Sequence, residues 1–168
     1  TADLVVSQRL VDRVSEMISD PTLSALLLGK SAQAAERGIS MTLTEESALD
    51  DDDTSPLTTD ETITVVGNLI DNALDACDPA DAWVEVTVAV DDGSLLIVVA
   101  DSGPGMTDDE FERACGRGYS TKPGGDATGR GLGLALVANV VSRHGGTVRS
   151  EHTYGSVITV EIPSRGQV

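Results

Sequence analysis

The sequence predicts an α/β sandwich: a mixed sheet of about five strands, three helices on one of its faces, and a glycine-rich loop at its edge. Three observations predict it. Five short stretches read as strands, at 39–44, 83–90, 95–100, 147–152 and 157–162, by alternation or as a continuous apolar run. Longer stretches with helical periodicity lie between them. Aromatics make up only 2% of the 168 residues, so the core must be built from Leu, Val, Ile and Ala. A chain of this length holds one domain, or one domain with a short appendage.

Thr1 to Ile18 reads as a helix with an apolar stripe of Val6, Leu10, Val14, Met17 and Ile18. In a small domain such a helix has little to bury against, and it reads as the tail of a preceding helical module. Asp20-Pro21 is a fresh start, with Asp as cap and Pro at the first helical position. The helix that follows stops at Gly38. Ile39 to Thr44 alternates as a strand. Glu45 to Pro56 is polar and carries four consecutive aspartates, Asp50 to Asp53, whose spacing is that of a solvated loop and not of a calcium loop. Thr58-Thr59-Asp60-Glu61 fits a capping box and opens the central helix, which Asp78-Pro79 closes. Trp83 to Val90 alternates, Asp92-Gly93 turns the chain, and Leu95 to Ala100 is a buried strand that ends on Asp101. Gly103 and Gly105 follow at once. Met106 to Thr128 forms a long loop with a short helix near Asp108 to Cys115, and loops of that length in compact domains are functional lids or disordered. Leu132 to His144 is a helix ended by Gly145-Gly146. A hairpin turning at Tyr154-Gly155 completes the sheet.

Charge narrows the function classes. The net charge is −17 and the pI is near 4.1, which argues against nucleic acid and anionic membranes as partners. No run of about 18 apolar residues occurs, and the N-terminus lacks a signal-peptide pattern, so a cytoplasmic setting is expected. Cys77 and Cys115 stand apart without metal or redox spacing and read as structural. Between Gly38 and Glu112 there are 20 acidic residues and no basic one. Arg113, Arg117, Lys122 and Arg130 then arrive within the glycine-rich stretch. Positive charge for a phosphate must come from there, and a divalent metal would have to offset the acidic remainder.

The central helix carries the oddest composition, VVGNLIDNALDA from Val65 to Ala76. At about 100° per residue, Asn68, Asp71, Asn72 and Asp75 share one side, while Val66, Leu69, Ile70, Ala73, Leu74 and Cys77 share the other. A polar stripe is usually a solvated face. Here, however, Asn is a poor helix former, and no Lys or Arg occurs from Asp60 to Pro79. Asn and Asp together supply oxygen ligands for a hard cation, so the helix is expected to hold a magnesium-bound nucleotide. The glycines fit neither the Walker string nor the dinucleotide fingerprint. What remains is a glycine-rich segment, Gly129-Arg130-Gly131-Leu132-Gly133, entering a helix whose amides can approach phosphates.

NLIDNALDA, DSGPGM, STK and GRGLGLAL, in this order and spacing, resemble the ATP-binding superfamily of gyrase, heat-shock chaperones, mismatch-repair ATPases and sensor histidine kinases. The resemblance covers roughly Asp60 to Pro163. It implies a two-layer, Bergerat-type sandwich with an ATP lid at about 107–128. Within the superfamily the chain looks like the catalytic domain of a bacterial histidine kinase, and DPTLSALLLGKSAQAAERGISMTL is similar to the citrate and dicarboxylate sensor kinases. Residues 1–19 then correspond to the end of a dimerisation and phosphoacceptor hairpin, and 20–168 to the catalytic domain.

The resemblance assigns Asn72 as the magnesium ligand, with Asn68 and Asp75 on the same helix face. Asp101 matches the aspartate that accepts from the adenine amino group, and Gly103, Gly105 and Met106 pass close to the base. Ser120, Thr121 and Lys122 match the lid segment, with Lys122 reaching the phosphates. Gly129, Arg130, Gly131, Leu132, Gly133 and Leu134 match the second glycine box, and Ser156 matches a Ser/Thr near the adenine. The hydrolysing members carry a Glu where this chain has Asn68. Asn cannot take a proton at neutral pH, which favours phosphoryl transfer over hydrolysis. The implied cofactors are ATP and Mg2+. The implied partners are an upstream histidine hairpin and a response-regulator receiver domain, with the whole protein a membrane-anchored homodimer. A nucleotide-binding docking module and an ATP-hydrolysing enzyme are the alternative readings. His144 and His152 both follow the nucleotide motifs and read as capping or surface residues, so the phosphoacceptor is expected outside this chain.

Overall fold

The computed structural model describes residues 2–48, 55–77, 80–116, 130–153 and 155–165. Five strands, β1 (Ser40–Leu43), β2 (Trp83–Asp91), β3 (Ser94–Asp101), β4 (Thr147–His152) and β5 (Ser156–Ile162), form one sheet in the order β1-β2-β3-β5-β4. β1 runs parallel to β2, and the remaining pairs are antiparallel. The sheet is therefore mixed and five-stranded, as the sequence predicts. Asp92 and Gly93 both take positive φ, 51° and 80°, which is the twist a two-residue hairpin needs.

Alternation decides which face is covered. Val84, Val86, Val88 and Val90 of β2, Leu95, Ile97 and Val99 of β3, and Ile158, Val160 and Ile162 of β5 are buried in one core. The helical layer on that face consists of α2 (Pro21–Glu36), α3 (Thr59–Ala76) and α5 (Arg130–Arg143). α4 (Asp108–Gly116) rests on α5 at the edge.

α3 lies at the centre of this layer. Thr58 Oγ1 accepts from the Glu61 amide at 3.1 Å, and Glu61 Oε1 accepts from the Thr58 amide at 3.0 Å, completing the capping box. Val65, Val66, Leu69, Ile70, Ala73 and Leu74 make its buried side. Each large aliphatic there contributes roughly 1.5–3 kcal/mol by leaving water. α2 starts where Asp20 accepts from the Thr22 and Leu23 amides, with Pro21 at the first position.

α1 (Ala2–Met17) is better packed than its sequence position suggests. Leu10, Val14 and Ile18 belong to the core, and Arg13 Nη1 donates to the Leu43 carbonyl at 2.8 Å. The second half of the helix thus caps the β1 edge, so it does find something to bury against. α5 also departs from expectation. It begins at Arg130, so Gly131 and Gly133 lie inside its opening turns and not in a loop before it. The loop holding Asp50 to Asp53 lies outside the described residues.

Candidate nucleotide site

The site is assembled at the end of the sheet where β3 leaves it. Strand register places Val84, Asp101, Ser156 and His152 side by side on β2, β3, β5 and β4, with Asp101 and Ser156 each 3% exposed. Because partners across a ladder share a face, this row points into the helical layer. Asp101 Oδ1 accepts from the Gly103 amide at 2.7 Å. Burial pushes the Asp101 carboxyl above the usual carboxylate range, and the Gly103 amide opposes that rise. The second oxygen makes no hydrogen bond among the described residues, so an acceptor is left for a donor that arrives with a ligand.

Glycine is needed twice around this carboxylate. A Cβ on Gly103 would sit 2.2 Å from the Ala76 carbonyl oxygen, so the segment after Asp101 closes directly onto the end of α3. A Cβ on Gly155 would sit 2.2 Å from the Asp101 carbonyl oxygen, and its φ is +108°. The second glycine brings Ser156 alongside Asp101. Trp83 supports the arrangement: its amide donates to Ser102 Oγ at 3.2 Å, its carbonyl accepts from the Ser102 amide at 3.1 Å, and its ring edge lies 3.2 Å from the Cβ position of Gly155. Sequence reasoning missed Trp83, Ser102 and Gly155. A lone Trp at the start of a strand and a glycine in a hairpin carry no local signal of a site.

Asn68 and Asn72 are half-buried on the polar side of α3. Asn68 Nδ2 donates to the Thr64 carbonyl at 2.7 Å, which turns its Oδ1 toward α5. A Cβ on Gly133 would lie 3.1 Å from that oxygen, so the glycine lets the two helices approach at Asn68. Asn72 makes no hydrogen bond among the described residues. Met106 is half-buried against the core.

The acidic half of the stripe is used differently from the sequence expectation. Asp71 pairs with Lys30 at 2.6 Å and Asp75 with Arg37 at 3.3 Å, and Arg37 Nη2 also donates to the Leu74 carbonyl at 3.0 Å. The cations missing from α3 come from α2 and its C-cap residue, so a divalent metal is not required to balance these two carboxylates. Asp75, a candidate ligand contact, is placed in this ion pair. Leu134, another candidate, is 1% exposed and packs α5 into the core. His144 is an inter-helix bridge and not a simple cap: its Nε2 lies 2.8 Å from Glu61 Oε2, with Arg143 Nη1 at 3.8 Å from the same oxygen. The His144 bond and the Thr58 amide pull the Glu61 carboxyl from 4.5 down to about 2. Cys77 Sγ donates to the Trp83 carbonyl at 3.5 Å, and burial raises the Cys115 thiol to about 11, so both cysteines serve packing.

Ser120, Thr121, Lys122 and Gly129 lie outside the described residues. Arg130, Gly131 and Leu132 form the opening turn of α5. Among the described residues, no group of three or more His, Cys, Asp or Glu side chains could hold a metal ion. The donors present are nonetheless suited to magnesium, which keeps much of its shell as water and phosphate and takes only one or two protein oxygens. Asn72 offers such an oxygen. An acceptor at a strand end beside the last turn of α3, with two half-buried asparagines on that helix and a glycine-bearing start to α5, is an arrangement that can receive a nucleotide.

A sequence model of the histidine kinase-, DNA gyrase B-, and HSP90-like ATPase family matches residues 58–166. The chain belongs to this family. A probable C4-dicarboxylate sensor kinase of Halalkalibacterium halodurans is 33% identical over 157 residues, covering 90% of this chain and 29% of that protein. The sensor histidine kinase DcuS of Escherichia coli K12 is 34% identical over 153 residues, covering 89% of this chain and 27% of its own length. The chain thus spans under a third of these curated relatives. The catalytic domain of the histidine kinase ThkA superposes with a TM-score of 0.63 at 21% identity, covering 84% of this chain and 94% of that one. The mycobacterial sensor histidine kinase MprB gives 0.58 at 26%, covering 85% and 96%. The fold is that of histidine kinase ATP-binding domains, and the sequence relatives are sensor kinases, a probable C4-dicarboxylate sensor kinase among them. No helix among the described residues is long and apolar enough to cross a membrane.

Proposed function

We propose that this domain binds Mg-ATP and donates the γ-phosphoryl group to a histidine on a helical hairpin outside residues 20–168, as the kinase half of a two-component system. The observation that carries this reading is the buried Asp101, beside the end of α3, with one oxygen held by the Gly103 amide and the other without a hydrogen bond among the described residues. Asp101 accepts from the adenine amino group, which donates two hydrogens where guanine presents a carbonyl. Ser156 lies beside it and orders the same edge. Asn72 would hold the magnesium ion, which when bound neutralises the phosphate charge. Asn68 occupies the place where a water-activating carboxylate would stand, and an amide cannot accept a proton there. The terminal phosphoryl group is therefore kept for an imidazole nitrogen: the bond to the ADP oxygen breaks, a phosphorus–nitrogen bond forms, and ADP leaves.

Helix α1 fits the end of the preceding hairpin, with its last turns docked on the catalytic domain through Leu10, Val14 and Arg13. A response-regulator receiver domain would take the phosphoryl group onward, and the whole protein would be a membrane-anchored homodimer with this domain on the cytoplasmic side. Labelled ATP added to this chain and a separately prepared histidine hairpin tests the reading. Label on the hairpin is the expected result. Binding without transfer would show a docking module, and free phosphate release would show an ATPase.

A further inference from the structure

His152 is absorbed by neither the fold nor the proposed chemistry. It is exposed, and its ring nitrogens make no hydrogen bond or ion pair among the described residues. Its position is nevertheless constrained. His152 pairs with Ser156 and Ser156 with Asp101, so the three side chains sit on adjacent strands and the same face, about 5 Å apart per strand.

The contact that matters is with Gly105. A Cβ on Gly105 would lie 2.9 Å from His152 Cδ2, 3.5 Å from Cγ and 3.7 Å from Cβ. The imidazole therefore occupies the space where a side chain at position 105 would go. Gly105 also has φ +78°, which keeps L side chains away for a second reason. The segment leaving Asp101 is thus supported at two points. Gly103 closes on the Ala76 carbonyl at the end of α3, and Gly105 comes down on the His152 ring. Pro104 between them restricts the remaining freedom.

We propose that His152 is a positioning residue of the nucleobase pocket, bracing the Gly103–Met106 segment so that its backbone holds the base edge against Asp101. The inference rests on the nucleotide reading above and adds to it the residue that sets adenine selectivity through Gly105. Adenine presents an amino donor to Asp101 and guanine a carbonyl acceptor. Discrimination between them needs the base edge held in place, and a loose segment lets the base tilt away from the carboxylate. Bracing the segment before the ligand arrives removes ordering entropy from the binding step.

The test compares wild type, His152→Ala and His152→Phe. ATP, GTP and magnesium tripolyphosphate are titrated by calorimetry, and amide exchange at Gly105 and Met106 is followed without ligand. In His152→Ala, ATP should bind roughly tenfold more weakly and the ATP-to-GTP preference should shrink by a similar factor. Tripolyphosphate affinity should be unchanged, and exchange at Gly105 should quicken. His152→Phe keeps a flat ring and should stay close to wild type. Unchanged exchange and selectivity in His152→Ala overturn the bracing role, as does an equal loss for ATP and tripolyphosphate, or a Phe variant as weak as the Ala variant. Wild type that binds no adenine nucleotide overturns the nucleotide reading itself, while the exchange measurement reports the brace independently.

Discussion

Acid should cut the tie between α3 and α5 within a defined window. Glu61 Oε2 lies 2.8 Å from His144 Nε2. That bond, with the Thr58 amide, holds the Glu61 carboxyl at about 2 against an ordinary 4.5. A depressed folded value means the unfolded chain binds the proton more tightly. The ionised carboxylate therefore stabilises the fold above pH 4.5, and this contribution is lost as the pH falls toward about 2. At about 1.4 kcal/mol per pH unit, the whole depression corresponds to about 3 kcal/mol. The side chain is 19% exposed and Arg143 reaches it only at 3.8 Å. Solvent screening brings the expected worth to about 1–2 kcal/mol. Glu61→Gln keeps the shape and the capping-box geometry while removing the charge. Urea unfolding, followed by circular dichroism from about pH 7 to about pH 2.5, should show wild type more stable by about 1–2 kcal/mol at neutral pH. The gap should close below about pH 4.5. Comparing the two chains matters, because a protein of net charge −17 also loses self-repulsion on acidification, and that change is nearly common to both. A gap absent at pH 7, or constant to the acid end, refutes the argument.

Other substitutions report on the site and its supports. Asp101→Asn keeps the acceptor for the Gly103 amide but replaces the open oxygen. Calorimetry should show ATP affinity down roughly ten- to hundredfold. Because burial raises the Asp101 pKa, its ionised form costs the fold stability above the unfolded value, and the Asn variant should unfold at equal or higher urea. Gly103→Ala puts a methyl 2.2 Å from the Ala76 carbonyl oxygen. It should cost about 1–3 kcal/mol in urea unfolding, with a parallel loss of ATP binding as the segment is pushed off α3. Cys115, raised to about 11, should react with iodoacetamide at pH 7.5 at least about a hundredfold more slowly than a free thiol, and equalise only on unfolding.

Much of the fold was legible because its signals are local. The alternation at Trp83 to Val90, the run into Asp101 and the Thr58–Glu61 box each report backbone state within a few residues. The asparagine helix was legible for the same reason, and its buried side matches the predicted one. The charge argument overlooked the partners of Asp71 and Asp75 because charge partners are not local. Lys30 lies 41 residues from Asp71, and Arg37 lies 38 from Asp75. Reading only the composition around α3, the stripe looked uncompensated.

By itself, the sequence determined that this chain makes a mixed sheet under helices, that Asp101 ends a buried strand, and that Asn68 and Asn72 share the polar side of a capped helix. Periodicity, turn chemistry and capping are properties of neighbouring residues, so they survive without coordinates. Only the tertiary structure decided which groups meet: Gly103 with the end of α3, Gly155 with Asp101, Gly133 with Asn68, His144 with Glu61 across 83 residues, and His152 with Gly105. Those meetings depend on strand register and helix packing, where a one-residue slip would turn Asp101, Ser156 and His152 to the other face.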